Sequence, residues 1–380
     1  MKFESLLIHG GIDGDASTGA VNVPIYQTST FKKSEFENTK DNVYEYSRTG
    51  NPTRAALEKL ITELEEGYAG FAFASGMAAT TAALSLFKTG DKILISNNVY
   101  GGTFRVLDKY FKNFGLNYSV FDSSNIEELK NNIDDSVKAI FIETPTNPLM
   151  GITDIEEVAK IAKENNIISI VDNTFMTPYL QKPITLGADI VIHSATKYLG
   201  GHSDLVAGLV VVNNNELAER IHFIQNSTGG VLSPFDSFLL IKGIKTLALR
   251  MDRQNSNTTV VAKFLRDRKE VEKVYYPGFV DHPGHEIQTK QAKGYGGIIS
   301  FVLKEGYDYK KFLESLELIT FGESLGGVES LICHPATMTH AAIPYEMRQA
   351  IGITDNLIRI SVGIENVDDI VEDLIKSLEI

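Results

Sequence analysis

The sequence predicts an α/β fold, with a mostly parallel sheet in a large domain and a smaller α+β domain after it. Three observations lead to this prediction. The chain has 380 residues, more than a single hydrophobic core usually organises. Its composition, 43% hydrophobic and 22% charged, is that of an ordinary folded protein. Short apolar segments alternate with helix-length segments, as in a parallel sheet that helices cover on both faces.

The first 55 residues have no sustained hydrophobic period and are predicted to form an extended N-terminal arm. They include the segments STGAVNVPIYQTSTF and YEYSRTGNPT. From about residue 56 the pattern changes, because Leu57, Leu60 and Ile61 in ALEKLITELEE recur at the spacing of one helix face. The regular part of the fold is therefore expected to begin there.

Seven apolar segments are predicted to be strands: FAFAS, KILIS, YSVF, KAIFIE, IISIVD, DIVIHS and GLVVV. Because ligands gather at the carboxyl ends of parallel strands, functional residues are expected at those ends. A long helical pattern starts at Ser233 and is expected to cross into the smaller domain. These patterns place the large domain at residues 56–249 and the C-terminal domain at residues 250–380.

Charge, cysteine usage and the N-terminus exclude several classes of protein. The net charge is −13 and the basic residues form no block, which argues against a nucleic-acid partner. Cys333 is the single cysteine, so no intrachain disulfide can form. The opening MKFESLLIHGG is too short an apolar run for a signal peptide, and a cytoplasmic protein is expected. His282 and His285 in DHPGHE lack further ligands, so no metal site is predicted.

The segment SATKYLGGHSD, directly after the apolar segment DIVIH, carries the strongest chemical signal. Lys197 stands there beside the hydroxyls of Ser194 and Thr196, which could bind a phosphate while the lysine forms an imine with an aldehyde. Taken alone, a surface lysine near a helix start is the commoner interpretation, since hydroxyl side chains often cap helices. Lys197 therefore needs partners elsewhere in the sequence.

Two partners follow other predicted strands. Asp172 ends the apolar segment IISIV, where a carboxylate can pair with a protonated pyridine nitrogen or simply cap a helix. The turn Ser75-Gly76-Met77 in FASGMAA offers backbone amides at a helix start, where an anion can bind. The glycine fingerprints of dinucleotide and P-loop sites are both absent from the sequence.

Two further residues are candidates for contacts to an aromatic cofactor. Tyr100 in NNVYGGTFR could stack on a pyridine ring, and Asn147 in ETPTNP could reach the phenolic oxygen of that ring. The alternatives are ordinary aromatic packing for Tyr100 and a plain turn for the Asn-Pro pair. Both residues follow predicted strands of the same sheet, which favours the functional interpretation.

Together with YSRTGNPT, ESLGGVESL, MTHA and IRISVG, these motifs run collinearly from the arm to the C-terminus. In them the chain resembles the transsulfuration family of enzymes dependent on pyridoxal phosphate (PLP). That family includes cystathionine γ-lyase, cystathionine γ-synthase, cystathionine β-lyase and methionine γ-lyase. The resemblance implies PLP as the cofactor and the aspartate-aminotransferase type of fold, known as fold type I.

The resemblance also implies roles for residues at the matching motifs. Lys197 would be the catalytic Schiff-base lysine, Asp172 the pyridinium partner, and Tyr100 the stacking and second catalytic residue. Tyr46 and Arg48 of the arm would reach the cofactor phosphate of a neighbouring subunit, which implies a homo-oligomer, usually a homotetramer. The remaining implied cofactor contacts are Ser75, Gly76, Met77, Ser194, Thr196, Asn147 and Thr174.

For the substrate, the resemblance implies that Arg359 in LIRISVG binds the carboxylate, because guanidinium groups suit planar, bidentate recognition. Ser324 and Asn147 would help orient that group. Glu323, Glu45 and Arg105 are candidates for contacts to the distal end of the substrate. The alternative for these three charged side chains is a solvated rim.

The reaction is harder to assign than the family. Gly102 stands where methionine γ-lyases usually have cysteine, which argues against that activity. The motifs YGGT and ESLGG, from which narrow bacterial β-lyases usually depart, are both present. Overall similarity to bacterial γ-lyases favours a cystathionine γ-lyase, with homocysteine or β-lyase side activity. The alternatives are cystathionine γ-synthase, or another transferase that uses O-acetylhomoserine, and cystathionine β-lyase.

Overall fold

The computed structural model describes residues 1–12, 14–15, 17–32, 44–341 and 345–379. A seven-stranded sheet forms the centre of the large domain, and all seven predicted strands are present. Six of the strands point in the same direction, and the seventh runs antiparallel to both of its neighbours, the first and the sixth. The strands are β1 (Ala69–Phe73), β2 (Lys92–Ser96), β3 (Asn117–Phe121), β4 (Val137–Glu143), β5 (Ile168–Asp172), β6 (Ile190–Ser194) and β7 (Gly208–Val212), in the spatial order β1-β7-β6-β5-β4-β2-β3.

Helices cover both faces of this sheet, as continuous apolar strands require. The helices up to the end of the large domain are α1 (Phe3–His9), α2 (Pro52–Glu65), α3 (Gly76–Leu84), α4 (Gly101–Lys109), α5 (Ile126–Asn131), α6 (Ile155–Glu164), α7 (Thr177–Leu180), α8 (Asn215–Thr228), α9 (Pro234–Lys245) and α10 (Leu247–Arg266). Two short 3-10 turns, Phe111–Phe114 and Pro183–Leu186, complete this part. On one face α3, α4 and α8 bury the alternate side chains of the strands, and α2, α6 and α9 bury the others.

A second, smaller sheet follows, as predicted. Its strands are β8 (Val271–Tyr275), β9 (Ile298–Leu303), β10 (Thr320–Phe321), β11 (Leu331–Cys333) and β12 (Leu357–Ser361), in the order β10-β11-β12-β9-β8. The helices of this part are α11 (His285–Gln291), α12 (Tyr309–Glu314), α13 (Tyr345–Ala350) and α14 (Val367–Leu378). The sheet and α14 share a core with the second half of α10.

The long helical pattern after Ser233 consists of two helices rather than one. Ser233 caps α9 by accepting a hydrogen bond from the Asp236 amide. Thr246 then interrupts the helical conformation between the end of α9 and the start of α10. Helix α10 then joins the two cores, because Leu247 packs in the large domain and Leu265 in the small one. The predicted boundary at residue 250 lies inside this helix.

The predicted extended arm contains one helix that the sequence pattern did not indicate. Leu7 of α1 is 1% exposed and packs in the core of the large domain, so the first residues fold against that domain. The described residues between 17 and 32 contain no helix, and Thr30 pairs with Tyr46 in an isolated bridge. Among the described helices, none combines the length and the apolar character needed to cross a membrane.

Candidate active site

A cavity of about 270 Å³ lies at the carboxyl ends of β1, β4, β5 and β6, beside β12 of the smaller sheet. Its position agrees with the rule that ligands bind at this edge of a parallel sheet. Most of the residues predicted from the sequence line this one cavity. They are Ser75, Gly76, Met77, Tyr100, Asn147, Asp172, Thr174, Ser194, Thr196, Lys197, Glu323, Ser324 and Arg359.

Lys197 follows β6 and enters the cavity, where its Nζ donates a hydrogen bond to Ser324 Oγ at 2.8 Å. Ser324 has a φ of 110°, a region that favours glycine, so backbone strain is held at this contact. Burial and the nearby Arg359 charge lower the pKa of Lys197 to about 8, and Glu323 opposes that shift. A larger fraction of this amine is therefore neutral near pH 7 than in an ordinary lysine.

Asp172 ends β5 and presents a half-buried side chain to the cavity. Its Oδ1 accepts hydrogen bonds from the Thr174 amide at 3.0 Å and from Thr174 Oγ1 at 2.5 Å. Thr174 Oγ1 in turn accepts from the Ser194 amide at 2.8 Å, which links the ends of β5 and β6. Burial raises the pKa of Asp172, and the bonds from Thr174 oppose the rise. A protonated ring nitrogen would pair with this carboxylate and offset its desolvation.

The N-terminus of α3 forms the other end of the cavity. The side chain of Ser75 caps the helix by accepting from the Ala78 amide at 3.0 Å, and Gly76 and Met77 occupy the first helical positions. A Cβ atom on Gly76 would lie 2.8 Å from Ser194 Oγ, so only glycine fits there. This end can therefore hold a phosphate through backbone amides and the helix dipole.

Side chains contribute less to this phosphate site than the backbone does. Thr196 Oγ1 accepts from the Ala207 amide at 3.0 Å and donates to the Ala207 carbonyl at 3.2 Å, so its contact with phosphate stays a prediction. Lys197 and Arg359 are the only basic residues of the described chain that line the cavity. Within the described residues, a phosphate dianion at α3 thus has no dedicated cation.

Tyr46 and Arg48 lie outside the cavity of their own chain. Arg48 Nη1 donates to the Asn226 carbonyl at 2.7 Å, and its guanidinium lies 5.7 Å from the centre of the Tyr46 ring. The buried Arg54 fixes this segment by donating to the carbonyls of Ser47 and Arg48. The predicted contact of Tyr46 and Arg48 with a neighbouring subunit remains a prediction.

Arg359 of β12 is 2% exposed and faces Lys197 across the cavity. Its Nη1 donates to Asn147 Oδ1 at 3.0 Å, and its Nη2 donates to the Ser324 carbonyl at 2.8 Å. Its Nε is buried and has no hydrogen-bond partner among the described residues. Because an unpaired buried N–H group is costly, this guanidinium fits an incoming carboxylate.

Tyr100 stands at the start of α4 and is 43% exposed. A Cβ atom on Gly102 would lie 2.4 Å from Cε1 of Tyr100 and 2.7 Å from Sδ of Met77. A cysteine at position 102 would therefore displace the Tyr100 ring.

The three candidates for distal substrate contacts are placed differently. Glu323 is exposed and lines the cavity. Arg105 lines an adjoining cleft of about 160 Å³ that shares Tyr100 and Thr339 with the cavity. Glu45 belongs to the arm and lines neither space. His282 and His285 each bond a backbone carbonyl, those of Met150 and Pro277.

Sequence reasoning missed Glu143, the last residue of β4. Its side chain is 6% exposed, lines the cavity and lies beside Asp172, with which it pairs in the register of β4 and β5. A signal existed, because Glu143 ends the apolar segment KAIFIE just as Asp172 ends IISIVD. Both carboxylates thus mark the carboxyl end of a buried strand.

The residues of this cavity fit PLP. The carboxylate of Asp172 suits a ring N–H, the α3 amides suit a phosphate, and Lys197 is an amine with a lowered pKa. PLP, when bound, withdraws the negative charge that develops on the substrate carbon next to the amino group. The protein then has to hold the ring, bind the substrate carboxylate and move protons.

The comparisons with known proteins agree with this site but do not resolve the reaction. A cystathionine β-lyase of Lactococcus lactis subsp. cremoris is 57% identical over 100% of this chain and 99% of its own length. A cystathionine γ-lyase of Bacillus subtilis is 56% identical over 100% of both chains. Overall similarity therefore does not place γ-lyase ahead of β-lyase, contrary to the expectation above.

A solved cystathionine γ-lyase of Lactobacillus plantarum, complexed with L-serine, superposes with a TM-score of 0.98 at 51% identity. The superposition covers 100% of this chain and 99% of the Lactobacillus plantarum chain. The sequence profile of the Cys/Met metabolism PLP-dependent enzymes matches residues 4–379. The chain therefore belongs to the Cys/Met metabolism family of PLP-dependent enzymes, and PLP is its cofactor.

Proposed function

We propose that the protein is a cystathionine γ-lyase, which converts L-cystathionine and water to cysteine, 2-oxobutanoate and ammonia. The observation that carries the proposal is the position of Lys197 between two groups that can recognise the substrate. Arg359 offers a buried guanidinium for the α-carboxylate, and Glu323 offers an exposed carboxylate for the distal ammonium. Cystathionine carries both of these charged groups.

The reaction requires protons to leave two adjacent carbons of the substrate. Lys197 Nζ has one side-chain hydrogen bond, to Ser324, so the amine can swing between these positions once the substrate has bound. Its pKa of about 8 suits a base that accepts a proton and returns it at neutral pH. Tyr100, at the exposed side of the cavity, supplies the proton that the departing sulfur takes up.

The binding groups keep the substrate in place during these transfers. Asn147 and the Ser324 carbonyl fix two nitrogens of Arg359, so the guanidinium presents a set geometry to the carboxylate. The distal half of cystathionine then extends toward Glu323 and the Arg105 cleft. Cleavage of the bond between the γ-carbon and sulfur then releases cysteine.

Cystathionine β-lyase is a second candidate, because relatives of that name match the chain at 56–57% identity. It would cleave the same substrate on the other side of sulfur and release homocysteine, pyruvate and ammonia. Cystathionine γ-synthase, the name of a 45% identical relative of Mycobacterium leprae, is a third. Its reaction replaces elimination with capture of cysteine.

Product identification separates these reactions. The purified enzyme with PLP should release 2-oxobutanoate and cysteine in equal amounts from cystathionine. Mass spectrometry of the keto acid and the thiol provides the measurement. Pyruvate and homocysteine as main products would establish β-cleavage. Efficient condensation of O-acetylhomoserine with cysteine, without cleavage of cystathionine, would establish the synthase.

We also propose that the active enzyme is a cytoplasmic homotetramer whose active sites are shared between subunits. Two features support sharing: no described residue supplies a dedicated cation at the phosphate end of the cavity, and Arg48 of the same chain lies elsewhere. The single buried Cys333 suits a reducing compartment. An Arg48 from a neighbouring arm would supply the missing charge.

A further inference from the structure

Glu143 is a buried carboxyl group that takes no part in the proposed proton transfers or in the proposed binding of substrate. It ends β4 beside Asp172 and lines the cavity at 6% exposure. Burial and the neighbouring Asp172 raise its pKa well above the ordinary value, while two backbone amides and Arg359 oppose the rise. A carboxylate placed at such a cost normally has specific partners.

Each oxygen of Glu143 accepts one backbone hydrogen bond from a different part of the site. Oε2 accepts from the Tyr100 amide at 2.7 Å, and Oε1 accepts from the Asn147 amide at 3.1 Å. Tyr100 begins α4, where the helix has no side-chain cap of its own. Asn147 in turn holds Arg359 through its Oδ1. One carboxylate thus connects the ring-stacking tyrosine with the carboxylate-binding arginine.

We propose that Glu143 is a positioning residue that fixes Tyr100 directly and Arg359 through Asn147. Its two bonds set the distance between the face of the cofactor ring and the group that binds the substrate carboxylate. The two oxygens of one side chain suit this task, because each accepts a hydrogen bond from a different backbone amide. The role is the same for β- and γ-cleavage, since both begin with this pair of contacts.

Two substitutions test whether the second acceptor oxygen of Glu143 and the length of its side chain are both required. Glu143→Gln has one acceptor oxygen and one NH2 group, and an NH2 group cannot accept from a backbone amide, so one of the two bonds is lost. Glu143→Asp keeps the carboxylate but is one methylene shorter and cannot reach both amides. Both variants should displace Tyr100 or Asn147 while leaving Lys197, which Glu143 does not contact, in place.

Asp189 provides a matched control. Its carboxylate lies next to β6 at the opposite end of the same sheet and also accepts a backbone bond, from the Ser169 amide at 2.9 Å. Its other oxygen accepts from Asn213 Nδ2 at 2.9 Å. Asp189→Asn therefore perturbs a half-buried carboxylate at the other edge of the sheet without touching the cavity.

The experiment compares the three variants with the wild-type enzyme loaded with PLP. It measures kcat and KM for cystathionine, the dissociation constant of 4-(methylthio)butanoate by calorimetry, and the melting temperature. That ligand carries the carboxylate but no amino group, so it reports Arg359 without turnover. Glu143→Gln should raise both KM and this dissociation constant by about 10-fold, whereas Asp189→Asn should leave both within twofold.

Two results would overturn the proposal. One is a Glu143→Gln enzyme whose KM and ligand affinity stay within twofold of the wild type. The other is an Asp189→Asn enzyme with the same losses, which would show a general effect of destabilisation. If Glu143→Gln does not fold, Glu143→Asp provides the test. Its affinity for 4-(methylthio)butanoate should be at least about threefold weaker than that of the wild type. An unchanged affinity would contradict the role of Glu143. The identity of the keto acid tests the γ-lyase proposal independently. The role of Glu143 can therefore be judged even if the enzyme proves to cleave cystathionine at the β-carbon.

Discussion

Replacing Lys197 with alanine is expected to reduce kcat/KM for cystathionine by at least 10²- to 10⁴-fold, the order of magnitude of a general base. Lys197 is the single lysine lining the cavity of the described chain. Arg359, the other basic residue that lines the cavity in the described part of the chain, cannot lose its proton and so cannot act as the base. The measurement is a steady-state assay of keto-acid release.

Two further variants show what the lysine supplies. Lys197→Arg keeps a positive charge of similar length but cannot act as a base, so it should be as inactive as Lys197→Ala. Lys88→Ala removes an exposed lysine far from the cavity and should keep wild-type rates. A Lys197→Ala enzyme within 10-fold of the wild type would refute the role of Lys197.

Replacing Arg359 with lysine is expected to lower kcat/KM by about 10²-fold, mostly through KM. Each charged hydrogen bond contributes roughly 1.5–3 kcal/mol, and an ammonium cannot keep both anchors while it presents paired donors to a carboxylate. The charge remains in this variant, so the loss reports geometry. Steady-state kinetics with cystathionine provides the measurement, and an unchanged KM would contradict carboxylate binding by Arg359.

Arg359→Met tests the electrostatic effect of the same residue. The Arg359 charge helps to lower the pKa of Lys197 to about 8, so its removal stabilises the protonated amine and should raise that pKa. Labelling of Lys197 in the cofactor-free protein by an amine-selective reagent should therefore begin at higher pH than in the wild type. In Arg359→Lys, which retains the charge, the onset should stay close to that of the wild type.

The sheet was predictable because its strands are short, continuous and apolar. The segment GLVVV became β7, buried at all five positions, and KAIFIE became β4. Position after a strand also predicted that Lys197 and Asp172 lie close together, since parallel strands bring their carboxyl ends to one edge, and both residues line the same cavity. Helix α1 could not be predicted in this way, because only burial of Leu7 against the large domain distinguishes it from an extended arm.

Glu143 illustrates what the sequence pattern leaves out. Its bond to the Tyr100 amide joins residues 43 positions apart, and it forms because β4 lies between β2 and β5 in the sheet. The order of strands in a sheet is a tertiary property that no local pattern encodes. The same holds for Gly102, whose need for glycine comes from the Tyr100 ring and the Met77 sulfur.

The choice between β- and γ-cleavage lies beyond both the motifs and overall similarity. The two reactions use the same carboxylate anchor, the same amine and the same cofactor, and they differ in which carbon–sulfur bond of one substrate is broken. Relatives named for either reaction match this chain equally well.

The central claim is that Lys197 carries the cofactor in this cavity. Borohydride reduction makes a lysine–cofactor linkage permanent, so digestion and mass spectrometry of the reduced enzyme locate it directly. We expect the pyridoxyl group on the peptide that contains Lys197 and on no other. A pyridoxyl group on a different lysine, or its complete absence from the reduced enzyme, would contradict the account.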